Sequence, residues 1–357
     1  MKNNIKKIQA ALAERNLDGL LITDEKNQRY ASGFYFSDGA VLVGRSSAWL
    51  VTDSRYIEAA GSAAGDGLQV QLYDRGRSLA EQLRLDIAQA GMERLAAEDD
   101  RLSHRQYLAW QQALGLKFQP AGDLLSLLRS AKNEDELAAM KAAQAIAEEA
   151  FKDMLHIIRP GLSEKQLMAE LVYSTLRHGS EGNAFDPIVV SGPNTSLPHG
   201  VPGDRLIQAG DFVTLDFGCI AEGYCSDMTR TLAVGRASEE MSNVYELVLK
   251  AQLAGIAAAR AGIPGREIDA AGRRVIADGG YGEFFGHGFG HSLGLDIHEG
   301  PSASPREERL MPEGAVCSAE PGIYLPGRFG VRIEDVLVLR RDGCELITKA
   351  PKQLIIL

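Results

Sequence analysis

Thr214–Thr231 reads TLDFGCIAEGYCSDMTRT, two strand-like runs joined by a turn, with an aspartate on each arm. Gly223 offers the positive φ that a tight hairpin turn needs. A loop symmetric about Ala221 and Glu222 sets Asp216 opposite Asp227 on one face, with Cβ atoms ~5 Å apart. Phe212, Val213, Leu215 and Phe217 put apolar residues on both faces, which is the pattern of a buried strand and not of a solvated edge. Two buried carboxylates this close repel unless one is protonated or a cation lies between them. Clustered oxygen ligands suit hard or borderline divalent ions, and a two-ion site needs a second pair of acids.

The C-terminal region supplies that pair. In CSAEPGIYLPGRFGVRIEDVLVL, Glu320 ends one apolar run and Glu334 lies in another, where Arg332, Glu334 and Val336 alternate with Val331, Ile333 and Asp335. A histidine cluster stands nearby in sequence: His287, His291 and His298 fall within GHGFGHSLGLDIHEGP, whose glycines make a helix improbable. His199 lies in another turn-rich loop, SGPNTSLPHG, while His104, His156 and His178 have helical surroundings and read as structural. No nucleophile elbow, phosphate-binding loop or dinucleotide fingerprint occurs. Four carboxylates with one to three histidines describe a two-metal hydrolytic centre. Cys225, two residues before Asp227 on the same strand face, is a further candidate ligand.

Around this core the chain is ordinary. Its 357 residues exceed the usual length of one domain, and 45% hydrophobic with 24% charged residues is a globular composition. A net charge of −10 argues against nucleic acid as a partner. No signal-peptide core or membrane-length apolar run is present, so the expected localisation is cytoplasmic. Cys219, Cys225, Cys317 and Cys344 lack metal or disulfide spacing and read as buried small hydrophobes.

Residues 1–130 alternate amphipathic helices with short apolar strands, an α/β layered domain. Helices are expected at Ile5–Arg15, Ile57–Ala64 and Leu79–Ala90, and strands at Gly19–Ile22, Ala40–Val43, Ala48–Thr52 and Leu68–Leu72. Residues 131–357 form a second, α+β domain. Asn133 caps a long helix that stops at Arg159-Pro160-Gly161, and Ser163 with Gln166 forms a capping box for a helix running to Gly179. RPGLSEKQLMA from Arg159 is similar to RAGIPGREIDA from Arg260, which predicts a domain of two related halves facing each other across a site.

At these residues the chain resembles the pita-bread metallopeptidases, the family of methionine aminopeptidase, aminopeptidase P, prolidase and the metal-free creatinase. FDPIVVSGPNTSLPHG, VTLDFG, YCSDMTRT, HGFGHSLGLDIHEGP, AEPGIY and GVRIEDV follow the family's motif order, and NQRYASGF and VTDSRY resemble the creatinase-type N-terminal domain. The resemblance implies a creatinase-like α/β domain and a pseudo-symmetric pita-bread catalytic domain. It implies two divalent ions per subunit held by Asp216, Asp227, His291, Glu320 and Glu334, with Asp227 and Glu334 bridging. Mn²⁺ is the expected metal, with Co²⁺, Zn²⁺ or Fe²⁺ as alternatives. Glu320 would shuttle a proton, His199 and His298 would bind substrate and intermediate, His287 would contact the proline side, and Arg332 would orient the carboxylates.

The implied activity is Xaa-Pro aminopeptidase action on peptides with proline second, in a homodimer. Prolidase action on dipeptides and a broader aminopeptidase that also removes N-terminal methionine are the alternatives. A binding module, with the fold serving as a peptide or nucleic-acid receptor without catalysis, is the competing class, and the intact ligand set counts against it.

Overall fold

The computed structural model describes residues 2–357, in two compact units that divide between Arg129 and Ser130. In the first, a six-stranded mixed sheet runs in the order Gln69–Leu72, Ala48–Thr52, Gly39–Gly44, Gly19–Ile22, Leu95–Ala97, Gln119–Pro120. Gly19–Ile22, at its middle, is fully buried, as its unbroken apolar run requires, and pairs antiparallel on one side and parallel on the other. Helices Ile5–Glu14, Ile57–Ala63 and Leu79–Gln89 lie within a residue of their expected bounds. The helix Glu25–Ser32 went unread because its EKNQRYAS sequence has no apolar stripe. It is anchored instead by the Asp24 cap and by buried polar groups: Asn27 donates to Glu98, and Gln28 to the Gly39 carbonyl.

The second unit is α+β and has the expected two halves. In the first half, helices Glu134–Ile157 and Glu164–Arg177 pack together beside a three-stranded antiparallel sheet of Ile188–Ser191, Phe212–Phe217 and Met228–Ala233. Both helices start with the capping boxes read from Asn133 and Ser163. In the second half, helices Glu239–Ala258 and Gly265–Asp278 pair beside a five-stranded sheet ordered Glu299–Ala303, Gly290–Ser292, Val316–Ala319, Asp335–Arg340, Gly343–Leu346.

The sequence repeat is also a hydrogen-bond repeat. Gly161 and Gly262 both take positive φ, 93° and 82°, and their N–H groups donate to Ile207 and Met311. Leu162 and Ile263 then accept from those same two residues, and Ser163 and Pro264 each form an isolated antiparallel bridge, to Leu206 and Leu310. Each half thus turns from one helix into the next by pinning the turn to a returning loop.

Candidate metal centre

The hairpin that opens the site is in a different register from the one expected. Ala221 pairs with Tyr224 and Asp216 with Thr229, so the turn residues are Glu222 and Gly223, both with positive φ. Glu181 holds this turn by accepting from both of their N–H groups. Asp227 therefore falls level with Gly218 and not with Asp216. The slip is two positions, which preserves side-chain parity, so both aspartates still reach the same cavity.

Nine of the residues singled out from the sequence line one cavity of about 1060 Å³: Asp216, Asp227, His291, Glu320, Glu334, His199, His287, His298 and Arg332. The arrangement joins both halves. The first-half hairpin carries Asp216 and Asp227, His291 lies on the strand Gly290–Ser292, Glu320 follows Val316–Ala319, and Glu334 lies between Phe329–Arg332 and Asp335–Arg340.

Ligand atoms of Asp227, His291 and Glu334 lie within 4.8 Å of one another. His291 Nε2 is 3.4 Å from Asp227 Oδ2 and 3.3 Å from Glu320 Oε1. Asp216 is held by Arg332, 2.5 Å away, in a pair with little exposure. Among the described residues, Asp227 Oδ1 and Glu334 Oε1 are buried with no hydrogen-bond partner. Two orphaned carboxylate oxygens in one buried cluster, where unpaired charge is costly, fit the coordination of cations.

The electrostatics agree. Burial, reinforced by neighbouring carboxylates, raises Asp227 to about 7, and Glu334 is pushed well above the ordinary carboxylate range for the same reasons. Burial also raises Asp216, against the opposing pull of Arg332. Burial by itself would lower His291, but Asp227 and Glu320 outweigh it and lift the imidazole to about 9. His287 and His298 are lowered, chiefly by burial.

Several supporting residues were not read from the sequence. Thr229 donates to Glu334 Oε2 at 2.7 Å and accepts from Arg332 Nε at 3.2 Å; its place two residues beyond Asp227, on the same face, is the signal that could have found it. Ser318 accepts from the His291 N–H and donates to Glu320. The Tyr324 hydroxyl lies 2.9 Å from His287 Nε2 and 2.7 Å from Arg332, a link between the His287 loop and the strand Phe329–Arg332 with no local sequence signal. Cys225 does not join the cluster: its thiol donates to the Leu295 carbonyl, 3.8 Å away. The four cysteines are unbridged, and Cys219, Cys225 and Cys317 are buried. His178 pairs with Asp153 at 2.9 Å.

Comparison with known proteins bears on this geometry. Residues 138–341 match the model of metallopeptidase family M24, and residues 4–131 match that of the creatinase/prolidase N-terminal domain. An Xaa-Pro dipeptidase from Bacillus anthracis has a similar structure, with 41% identity, 99% of each chain covered and a TM-score of 0.94. An X-Pro aminopeptidase from Thermotoga maritima is 37% identical over 97% of this chain and 99% of its own, with a TM-score of 0.92. An Xaa-Pro dipeptidase from Pyrococcus horikoshii is 33% identical over 99% of both chains. With a creatinase-type first unit, a pita-bread second unit and relatives matching over nearly the whole length, the chain belongs to metallopeptidase family M24.

Proposed function

We propose that the protein is a metal-dependent Xaa-Pro peptidase, hydrolysing the bond before a proline in the second position of small peptides. The observation that carries this reading is the convergence of Asp216, Asp227, His291, Glu320 and Glu334 on one cavity, with orphaned carboxylate oxygens on Asp227 and Glu334. The relatives above are each named for action at the Xaa-Pro bond. Asp227 and Glu334 would hold both ions, Asp216 one, and His291 with Glu320 the other. Two divalent ions, once bound, supply a water of lowered pKa and a Lewis acid for the scissile carbonyl.

The remaining work falls to side chains. Glu320, hydrogen-bonded to the Ser318 hydroxyl, moves a proton from the attacking water toward the departing proline nitrogen. His298, on the cavity wall, joins His199 in donating to the substrate and to the tetrahedral oxyanion. His287, steadied by Tyr324, contacts the proline side, and Arg332 fixes Asp216 in place.

Aminopeptidase action is our first reading of chain length. The cavity reaches the upper end of the usual ~300–1,000 Å³ for small-ligand sites, room for more than a dipeptide. Arg332 is already committed to Asp216 and Tyr324, so it is not spare to anchor the carboxylate of a dipeptide. Dipeptidase action is the second reading, favoured by the relatives known as Xaa-Pro dipeptidases. Steady-state rates on Xaa-Pro and Xaa-Pro-Yaa substrates sharing one scissile bond test the choice: the first reading expects the tripeptide to be faster in kcat/KM, and faster dipeptide turnover reverses it. We further propose Mn²⁺ as the metal, a homodimeric assembly and a cytoplasmic location. Among the described residues no helix is long and apolar enough to cross a membrane.

A further inference from the structure

Two charged residues lie inside the metal-centre motifs and face away from the cavity. Arg230 follows Thr229 in YCSDMTRT, and Asp335 follows Glu334 in GVRIEDV. Their side chains are 1% and 0% exposed and form an ion pair at 2.8 Å. Asp335 carries a second cation, since Lys352 Nζ bonds its other oxygen and also reaches Gln252 Oε1 at 3.3 Å. The Arg230 guanidinium donates in addition to the carbonyls of Thr229, Glu334, Ala350 and Pro351.

Lys352, Ala350 and Pro351 belong to the C-terminal tail. That tail is laid along the first-half sheet, with Ala233 donating to Ile355 and Leu357 to Ala233, both at 2.9 Å. One guanidinium therefore grips the backbone of Glu334, the backbone of the threonine that bonds the Glu334 carboxylate, and two tail carbonyls. Solvation of the hydrophobic kind does not explain such a group; buried charges of this sort are expensive unless every partner is in place.

We propose that Arg230, Asp335 and Lys352 are positioning residues that make the C-terminal tail part of the metal centre's support, fixing the backbone from which Glu334 projects. The inference rests on the reading of Glu334 as a metal ligand. Groups that orient ligands from behind commonly change metal affinity by about ten- to a hundredfold when removed.

The test titrates the metal-free, full-length protein with Co²⁺ by calorimetry and records the metal-free thermal midpoint beside it. Lys352→Met is expected to weaken Co²⁺ binding by about tenfold or more, and Lys352→Arg to restore most of it. Should Lys352→Met fail to fold, Lys352→Gln, which keeps a donor for Asp335 and loses the charge, is expected to show the same loss. A folded variant lacking the charge that binds Co²⁺ like the parent, with only a lower thermal midpoint, overturns the proposal. Glu334→Gln separates the two levels: normal Co²⁺ affinity in that variant sinks the ligand reading itself, whereas impaired Glu334→Gln with intact Lys352→Met sinks only the support from the tail.

Discussion

The two halves of the second unit enter their second helices by the same hydrogen bonds yet differ at the next position, Glu164 in one and Gly265 in the other. The Glu164 carboxylate is fully buried and accepts from the Ser191 N–H and hydroxyl, from Asn194 and from the Gly203 N–H, knotting the loop that leads to His199. At Gly265 a Cβ would stand 2.0 Å from the Ser302 carbonyl, so the strand beyond His298 packs directly on the helix start. One half holds its cavity loop with a side chain and the other with close backbone approach. The same scaffold occurs twice with different cavity residues: the first half contributes two aspartates from one hairpin, while the second contributes His291 from within a strand, Glu320 from just after one and Glu334 from between two.

The largest effect tests whether that division is functional. Asp227→Asn, from the first half, and Glu334→Gln, from the second, are each expected to remove metal binding and lower kcat by a factor on the order of a thousand or more, with the fold retained by circular dichroism. Full activity of either variant in added metal would mean that its half does not contribute an essential ligand.

Smaller effects distinguish the two anchoring styles. Gly265→Ala forces Ser302 to move and should cost about 1–3 kcal/mol, read from denaturant unfolding. Glu164→Ala strands the buried N–H donors of Ser191 and Gly203 at about 1–3 kcal/mol each, and Glu164→Gln should recover part of that. Equal tolerance of alanine at the two positions would erase the contrast drawn here. Tyr324→Phe removes the link between His287 and Arg332 and should lower kcat/KM by about tenfold while metal content stays near the parent's.

The smallest effect is one of pH. Asp227 rises from 3.8 to about 7 on folding and His291 from 6.5 to about 9, so at these two groups the metal-free native state binds more protons than the unfolded chain, and they outweigh the lowered His287 and His298 at the alkaline end, where both of those imidazoles are neutral in either state. The Asp227 contribution is present below 3.8 and lost as pH rises through about 7; the His291 contribution is present below 6.5 and lost through about 9. The metal-free thermal midpoint should therefore fall by a few degrees between mildly acidic and mildly alkaline buffer, and saturating metal should stabilise more at the alkaline end. A metal-free midpoint that rises over that range contradicts the buried cluster.

Much of this architecture was legible in the sequence because its signals are local. Asn133 and Ser163 announced their helices by side-chain chemistry one turn away, and the glycine-rich spacing around His287 and His291 ruled out a helix. The turn register was misread by one position at its centre, because the choice of Glu222 with Gly223 depends on Glu181, far off in sequence. Parity rescued the conclusion, since a two-residue slip leaves a side chain on its face. Tyr324 and the Arg230–Asp335–Lys352 group act between segments that meet only in the folded chain, so no pattern within a motif exposes them. The helix Glu25–Ser32 is held by polar contacts, which hydrophobic periodicity does not register.

In the proposed function both halves build one two-ion centre for cleavage before proline. The most direct test is the metal content of the purified chain, measured with its rates on Xaa-Pro-Yaa and Met-Ala-Yaa peptides under the same conditions. Two divalent ions per chain and hydrolysis of the Xaa-Pro bond are expected. A chain that binds no divalent ion, or one that cleaves Met-Ala peptides and leaves Xaa-Pro intact, would contradict it.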